Sequence, residues 1–245
     1  MYAIKTEAIS KKYKDAVAVD GLSLTVNEGE LFALLGVNGA GKSTLIKMLS
    51  CVILPTGGSA EIMGHDILSE REKVKTLISV SPQETAVAQN LSVRENLQLM
   101  LGIHGVGKQD AAAKTEAALK KYGLEGVEKK KAGTLSGGWQ RRLSIAMALI
   151  TEPSVLFLDE PTLGLDVIAR RELWSVIKEL KGKMTVILTT HYLEEAEALS
   201  DRIGILTEGR LTAVGTAKEL IEKSGEDNFE DAFISLAKKN GGAEK

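Results

Sequence analysis

The chain has 245 residues, 44% hydrophobic and 26% charged, enough for one domain carrying a sizeable insertion and needing no disulfide or metal staple. Its 31 lysines and arginines against 33 acidic residues, with only 4% aromatics, argue against a nucleic-acid-binding surface as its main business. The single cysteine, Cys51, excludes an internal disulfide and reads as buried filler in a reducing compartment.

Taken in chain order, short apolar runs at residues 3–9, 16–26 and 31–35 are punctuated by Asp20-Gly21 and Glu28-Gly29-Glu30, predicting strands joined by tight turns. Helical spacing follows over 42–49, with Leu45, Ile46 and Leu49 on one face. A further strand ends near Ser81-Pro82. From about 92 to 122 the pattern is helical and alanine-rich, broken at 102–107, and helix resumes over 141–150. The Lys129-Lys130-Lys131 run reads as a solvated helix end.

Continuous apolar runs at 155–158 and 185–188 predict strands covered on both faces of a parallel sheet. Helices at about 167–180 and 193–199 complete a βα alternation, so the fold class is α/β with a mostly helical insert at about 84–150. The tail predicts a helix docking through Phe229, Ala232, Phe233 and Leu236, with a frayed 238–245 end. The expected division is a domain over 1–225 and a helix with flexible tail over 226–245. Met1 to Lys5 lacks a signal-peptide apolar core, and no apolar run approaches the ~20 residues that span a bilayer. The expectation is a cytoplasmic chain, held at a membrane only through another protein.

Gly36-Val37-Asn38-Gly39-Ala40-Gly41-Lys42-Ser43 fills the pattern G-x-x-x-x-G-K-[ST] directly between a strand and a helix. The glycines let several backbone N–H groups converge on one phosphate chain, and the helix points its positive end at the same anion. Lys42 is expected to reach the β- and γ-phosphates of ATP and Ser43 to ligate Mg²⁺, with Thr44 grouped among the nucleotide-binding residues. The apolar run 155–158 delivers Asp159-Glu160 at the strand end where α/β sheets bind ligands. Asp159 is placed to hold Mg²⁺ through water, and Glu160 to act as general base on the attacking water.

Leu135-Ser136-Gly137-Gly138-Trp139-Gln140-Arg141-Arg142 resembles the signature sequence of ABC-type ATPases, usually written LSGGQ. Ser136 and two glycines at a helix start form a second anion site. The resemblance implies a P-loop core of ABC ATPase type, mainly parallel sheet with an N-terminal antiparallel β region and an inserted helical subdomain. It further implies a dimer around two MgATP, each nucleotide held between one chain's P-loop and Ser136, Gly137 and Gly138 of the other. Trp139 departs from the pattern: an indole donates one hydrogen bond and accepts none.

Other elements of that family occur in order. Tyr13 matches the aromatic that stacks on adenine. Gln83 matches the Q-loop glutamine, a sensor of Mg²⁺ and attacking water. Leu163-Gly164-Leu165-Asp166 resembles the D-loop. His191 matches the switch histidine, which orients Glu160 and water near the γ-phosphate; His65 and His104 match nothing.

The implied partners are a second ATPase subunit, identical or paralogous, and a transmembrane permease on a separate chain, seated near residues 83–101. Segments 91–97, 191–197 and 229–233 look most like ATPases of bacterial ABC-2-type exporters. The alternatives are a soluble ABC ATPase serving assembly or repair, and a nucleotide-binding module without turnover.

Overall fold

The structure, a computed structural model, describes residues 1–14 and 16–238. The first two strands, β1 (Tyr2–Tyr13) and β2 (Ala16–Asn27), pair antiparallel, and β3 (Leu31–Leu35) then leads into α1 (Lys42–Leu49). β4 (Gly57–Ile62) and β5 (His65–Asp66) complete a four-stranded antiparallel sheet in the order β2-β1-β4-β5. After α2 (Arg71–Leu77) and β6 (Ile78–Ser81) come three helices: α3 (Val93–Ile103), α4 (Lys108–Lys121) and α5 (Gly137–Leu149). The chain then alternates through β7 (Val155–Asp159), α6 (Val167–Lys178), β8 (Thr185–Thr190) and α7 (Leu193–Leu199). It ends with β9 (Arg202–Thr207), β10 (Arg210–Gly215), α8 (Ala217–Ser224) and α9 (Phe229–Lys238).

The second sheet runs β10-β9-β3-β8-β7-β6 and is parallel except for the β9–β10 pair. Every residue of β3, β7 and β8 is buried, as their uninterrupted apolar runs require. Side chains alternate between two cores. Phe32, Phe157 and Ile187 pack with Leu45 and Leu49 of α1 and with Ile4 and Val26 of the antiparallel sheet. Leu31, Leu156, Leu158, Val186 and Leu188 face α3 to α6 instead. The helix that follows the glycine loop is thereby clamped between two sheets, which fixes where its N-terminus points.

α9 docks as expected: Phe229 and Leu236 are buried with Ile203, Ile205 and Leu220, and Phe233 packs at the edge. Of the frayed end expected over 238–245, Lys238 is the last residue of α9, and 239–245 lie outside the described residues. β4, β5, α2, β9, β10 and α8 add to the elements read from the sequence; each is short, and no long period marks it. Lys129 to Lys131 are exposed and follow the end of a single-turn 3-10 helix (Glu125–Val127). No helix among the described residues is long and apolar enough to cross a membrane.

The loop entering α3 is tied down by Asn96, which is fully buried. Its Oδ1 accepts from Ala88 N–H at 2.8 Å, and its Nδ2 faces the carbonyls of Ala88, Leu91 and Ser92 at 3.1, 3.3 and 2.9 Å. Ser92 and Glu95 close a capping box on the same helix start. Asn96→Ala leaves the Ala88 N–H without its partner and removes the side-chain bonds to three carbonyls, each of which keeps a backbone donor. We expect a loss of about 2 kcal/mol, lowering Tm by roughly 4–8 °C in a circular-dichroism melt. An unchanged melt would contradict the assignment.

Candidate nucleotide site

Beyond Leu35 the chain must turn sharply into α1 while pressed against two backbones. A Cβ at Gly36 would lie 2.4 Å from the Leu206 carbonyl of β9. A Cβ at Gly41 would lie 2.3 Å from the Ala18 carbonyl of β2, and Gly41 sits at φ 104°. Only glycine fits either place. The N–H groups of the first turn of α1 lack intrahelical partners and open onto the cleft beside it.

That cleft, about 380 Å³, is lined by Asn38, Gly39, Ala40, Gly41, Lys42, Ser43 and Thr44, together with Gln83, Glu160 and His191. Ala18 and Leu163 complete it. Four separate stretches of the expected site therefore meet in one place.

Lys42 is buried. Its Nζ donates to the Gly36 and Val37 carbonyls at 2.7 and 3.2 Å and stands 3.4 Å from Glu160 Oε1. Ser43 Oγ donates to Asp159 Oδ1 at 3.1 Å. Neighbours on a strand point to opposite faces, so Asp159-Glu160 could not serve one cleft from a regular strand. The chain solves this by placing Glu160 at φ 47°, a left-handed conformation that costs on the order of 1 kcal/mol in a non-glycine residue. Asp159 then meets Ser43 while Glu160 meets Lys42.

Thr189 of β8 holds this turn. Its hydroxyl donates to Asp159 Oδ1 at 2.6 Å and accepts from Glu160 N–H at 3.0 Å, and its carbonyl accepts from the same N–H at 3.1 Å. Sequence reasoning missed Thr189, although a threonine pair ending a buried apolar strand is a usable signal. His191, just beyond β8, brings Nδ1 to 3.3 Å from Glu160 Oε2. The alignment makes no hydrogen bond, and that buried nitrogen has no other partner among the described residues.

Tyr13 and the Ser136-Gly137-Gly138 stretch stand apart from this cleft's lining. Tyr13 is 45% exposed, with Lys11 Nζ 5.1 Å from its ring centroid. Its hairpin is the one that carries Ala18 to the cleft. Ser136 and Gly138 line a second cleft of about 300 Å³, with Gly137 beginning α5 between them. Ser136 occupies the cap position, yet its hydroxyl makes no capping bond within the helix. Trp139 faces this second cleft, stacked under the Arg142 guanidinium at 5.0 Å, and Arg142 pairs with Glu172 at 2.6 Å. Asp166 caps α6 there, accepting from the Ile168 and Ala169 N–H groups at 2.9 Å each.

Among the described residues no cluster of three or more His, Cys, Asp or Glu could hold a metal alone. The Ser43 hydroxyl and Asp159 carboxylate, 3.1 Å apart, are a hard-oxygen pair. That donor set fits Mg²⁺, which takes one or two protein ligands and completes its shell with phosphate and water.

A glycine cradle on a helix N-terminus, facing paired acids at the carboxyl edge of a parallel sheet, is the arrangement of a P-loop ATPase. The chain belongs to the ABC transporter family, whose family model matches residues 19–163. It is 43% identical over 229 residues to the daunorubicin resistance ATP-binding protein DrrA3 of Streptomyces coeruleorubidus, spanning 93% of this chain and 72% of that one. The solved structure of an ATP-binding subunit of an ABC transporter superposes with a TM-score of 0.85 at 27% identity, covering 96% of this chain and 99% of that one. A dimeric ATP-binding cassette in a post-hydrolysis state, bound to ADP and Pi, superposes with a TM-score of 0.79 at 27% identity, covering 87% and 98%. The chain is thus an ATP-binding and ATP-hydrolysing subunit of an ABC transporter, with the α/β fold expected of that family.

Proposed function

We propose that this chain hydrolyses MgATP as one half of a dimer and thereby drives a separate transmembrane permease of the ABC-2 exporter type. The observation that carries the reading is the cleft itself, where Lys42, Glu160, His191 and Gln83 converge on a phosphate loop. The relative named for daunorubicin resistance supports export over import.

In this reading the backbone N–H groups of residues 36–44 cradle the phosphates. Lys42 exchanges its Glu160 contact for the β- and γ-phosphates, and Tyr13 stacks on adenine. Glu160 takes the proton of the water that attacks the γ-phosphorus, as the bond to the bridging oxygen breaks. Its position between a cation and an imidazole keeps the carboxylate aimed. His191 orients Glu160 and contacts the γ-phosphate, and Gln83 fixes the attacking water. Ser43 and Asp159 would hold Mg²⁺, with Gln83 facing the same cleft; the bound ion supplies charge neutralisation on the terminal phosphates.

Ser136, Gly137 and Gly138 close over the partner chain's nucleotide. The free Ser136 hydroxyl and the glycine-lined helix start at the second cleft support that role. The ATPase domain spans 1–225, the insert from about 84 to 150 meets the permease, and the chain sits on the inner face of the membrane through that partner. No nucleic acid takes part.

Isolation of the tagged chain from gently solubilised membranes tests this. A polytopic membrane protein should co-isolate in fixed ratio, and the complex should hydrolyse MgATP. Recovery only as a free chain, in cells making the neighbouring gene products, would overturn the transport assignment.

A further inference from the structure

Arg141 lies on the second turn of α5 and is only 4% exposed, an unusual setting for a guanidinium. Among the described residues it forms no direct ion pair. Its Nη1 donates to the Pro82 carbonyl at 2.6 Å, and its Nη2 donates to the carbonyl of Gln83. Burial pushes the group's pKa below its ordinary value, and the nearby Asp159 and Glu195 carboxylates oppose that shift. One turn further along α5, Ser144 Oγ meets Ser81 Oγ at 3.1 Å, also buried.

If α5 only needed to pack against the end of β6, an apolar residue would do so without desolvating a charge. What the fork of a guanidinium adds is direction. Two N–H groups gripping two consecutive carbonyls fix the two peptide planes that flank the Cα between them, which a hydrocarbon cannot do. The Cα so fixed is that of Gln83, which is among the residues lining the first cleft. The same helix begins at Gly137, directly after Ser136 in the second cleft.

We propose that Arg141 is a positioning residue for Gln83: it fastens the Pro82–Gln83 backbone to the helix that starts at the Ser136 cap, so the Gln83 amide reaches the hydrolytic cleft only when that helix is in place. The proposal rests on the reading of Gln83 as a participant in hydrolysis. It makes occupancy of the second cleft felt at the first through one side chain. The Ser81–Ser144 contact supplies a second fastening along the same seam.

The test is a double-mutant cycle on MgATP hydrolysis by the full chain in its permease complex, with Arg141→Met, Arg141→Lys, Gln83→Ala and the paired variants. Arg141→Met should lower kcat by about 10- to 100-fold, as expected when a reacting group is misplaced by an ångström or less. KM for ATP should stay within about twofold, since the phosphate loop is untouched. Arg141→Lys, which keeps a charge but donates from one atom, should recover part of the loss. In the Gln83→Ala background, Arg141→Met should change kcat by less than about threefold, because residues acting as a unit are non-additive.

If Gln83→Ala slows hydrolysis yet Arg141→Met adds its full effect, Gln83 keeps its role and the positioning proposal falls. If Gln83→Ala turns over at the wild-type rate, the reading of Gln83 fails first and the proposal with it. Should Arg141→Met not fold, Arg141→Lys carries the cycle. A Lys variant whose only changes are a raised KM and a lowered Tm would mark Arg141 as structural alone and overturn the proposal.

Discussion

Glu160→Gln should bind ATP, hydrolyse it at least about 100-fold more slowly, and accumulate as an ATP-bound dimer. The side chain is buried, turned into the cleft by its left-handed backbone, and flanked by Lys42 at 3.4 Å and His191 at 3.3 Å. Glutamine has the same shape, and the two contacts of the Glu160 N–H, to the Thr189 hydroxyl and carbonyl, use only the main chain of residue 160 and survive the change. Proton acceptance is lost. Removing the carboxylate charge also relieves its repulsion of the γ-phosphate and frees Lys42, so closure around ATP should tighten rather than weaken. Turnover assays with light scattering after size exclusion read both effects. Wild-type turnover would remove Glu160 from the chemistry, and a mass that never doubles with MgATP beside the natural partner would end the sandwich arrangement.

Lys42→Ala should weaken ATP binding by about 10- to 100-fold, the worth of a charge-assisted hydrogen bond to phosphate. The Nζ is already held at the loop by the Gly36 and Val37 carbonyls, so little ordering is needed when phosphate arrives. Calorimetric titration with a non-hydrolysed ATP analogue measures the loss. Lys42 also partners buried Glu160, so the single variant should melt earlier. Lys42→Ala combined with Glu160→Gln removes both charges and should recover much of the melting temperature without recovering Lys42's share of the affinity. Affinity that returned in step with stability would show that Lys42 acts through folding instead of through phosphate contact.

Much of this site is legible before any fold is known. The glycine loop, Lys42 and Ser43 are consecutive, and their strand–loop–helix setting follows from the apolar runs on either side. Asp159-Glu160 ends the uninterrupted 155–158 run, which announces a strand covered on both faces. The signature Ser136-Gly137-Gly138 is equally local, though helical periodicity marks only the part of α5 from about residue 141 onward. The structure starts the helix at Gly137, because two glycines in a first turn leave no apolar period to read.

Other parts were decided elsewhere in the chain. Ala18 enters the cleft because β2 passes against Gly41, and Thr189 braces the two acids because β8 lies in register beside β7, with Asp159 opposite Thr189. The left-handed turn at Glu160 has no compositional mark. Arg141 carries no mark in the sequence that sets it apart from Arg142; it is buried on the carbonyls of Pro82 and Gln83.

The division has a physical cause. Residues joined by a few peptide bonds keep their spacing whatever the rest of the chain does, so phosphate loop, acid pair and helix cap are determined by sequence alone. Which strand lies beside which, and which side chain loses water in doing so, depends on burial summed over the whole sheet. Only the tertiary structure decides that sum, and with it the alignment of Glu160 against Lys42 and His191.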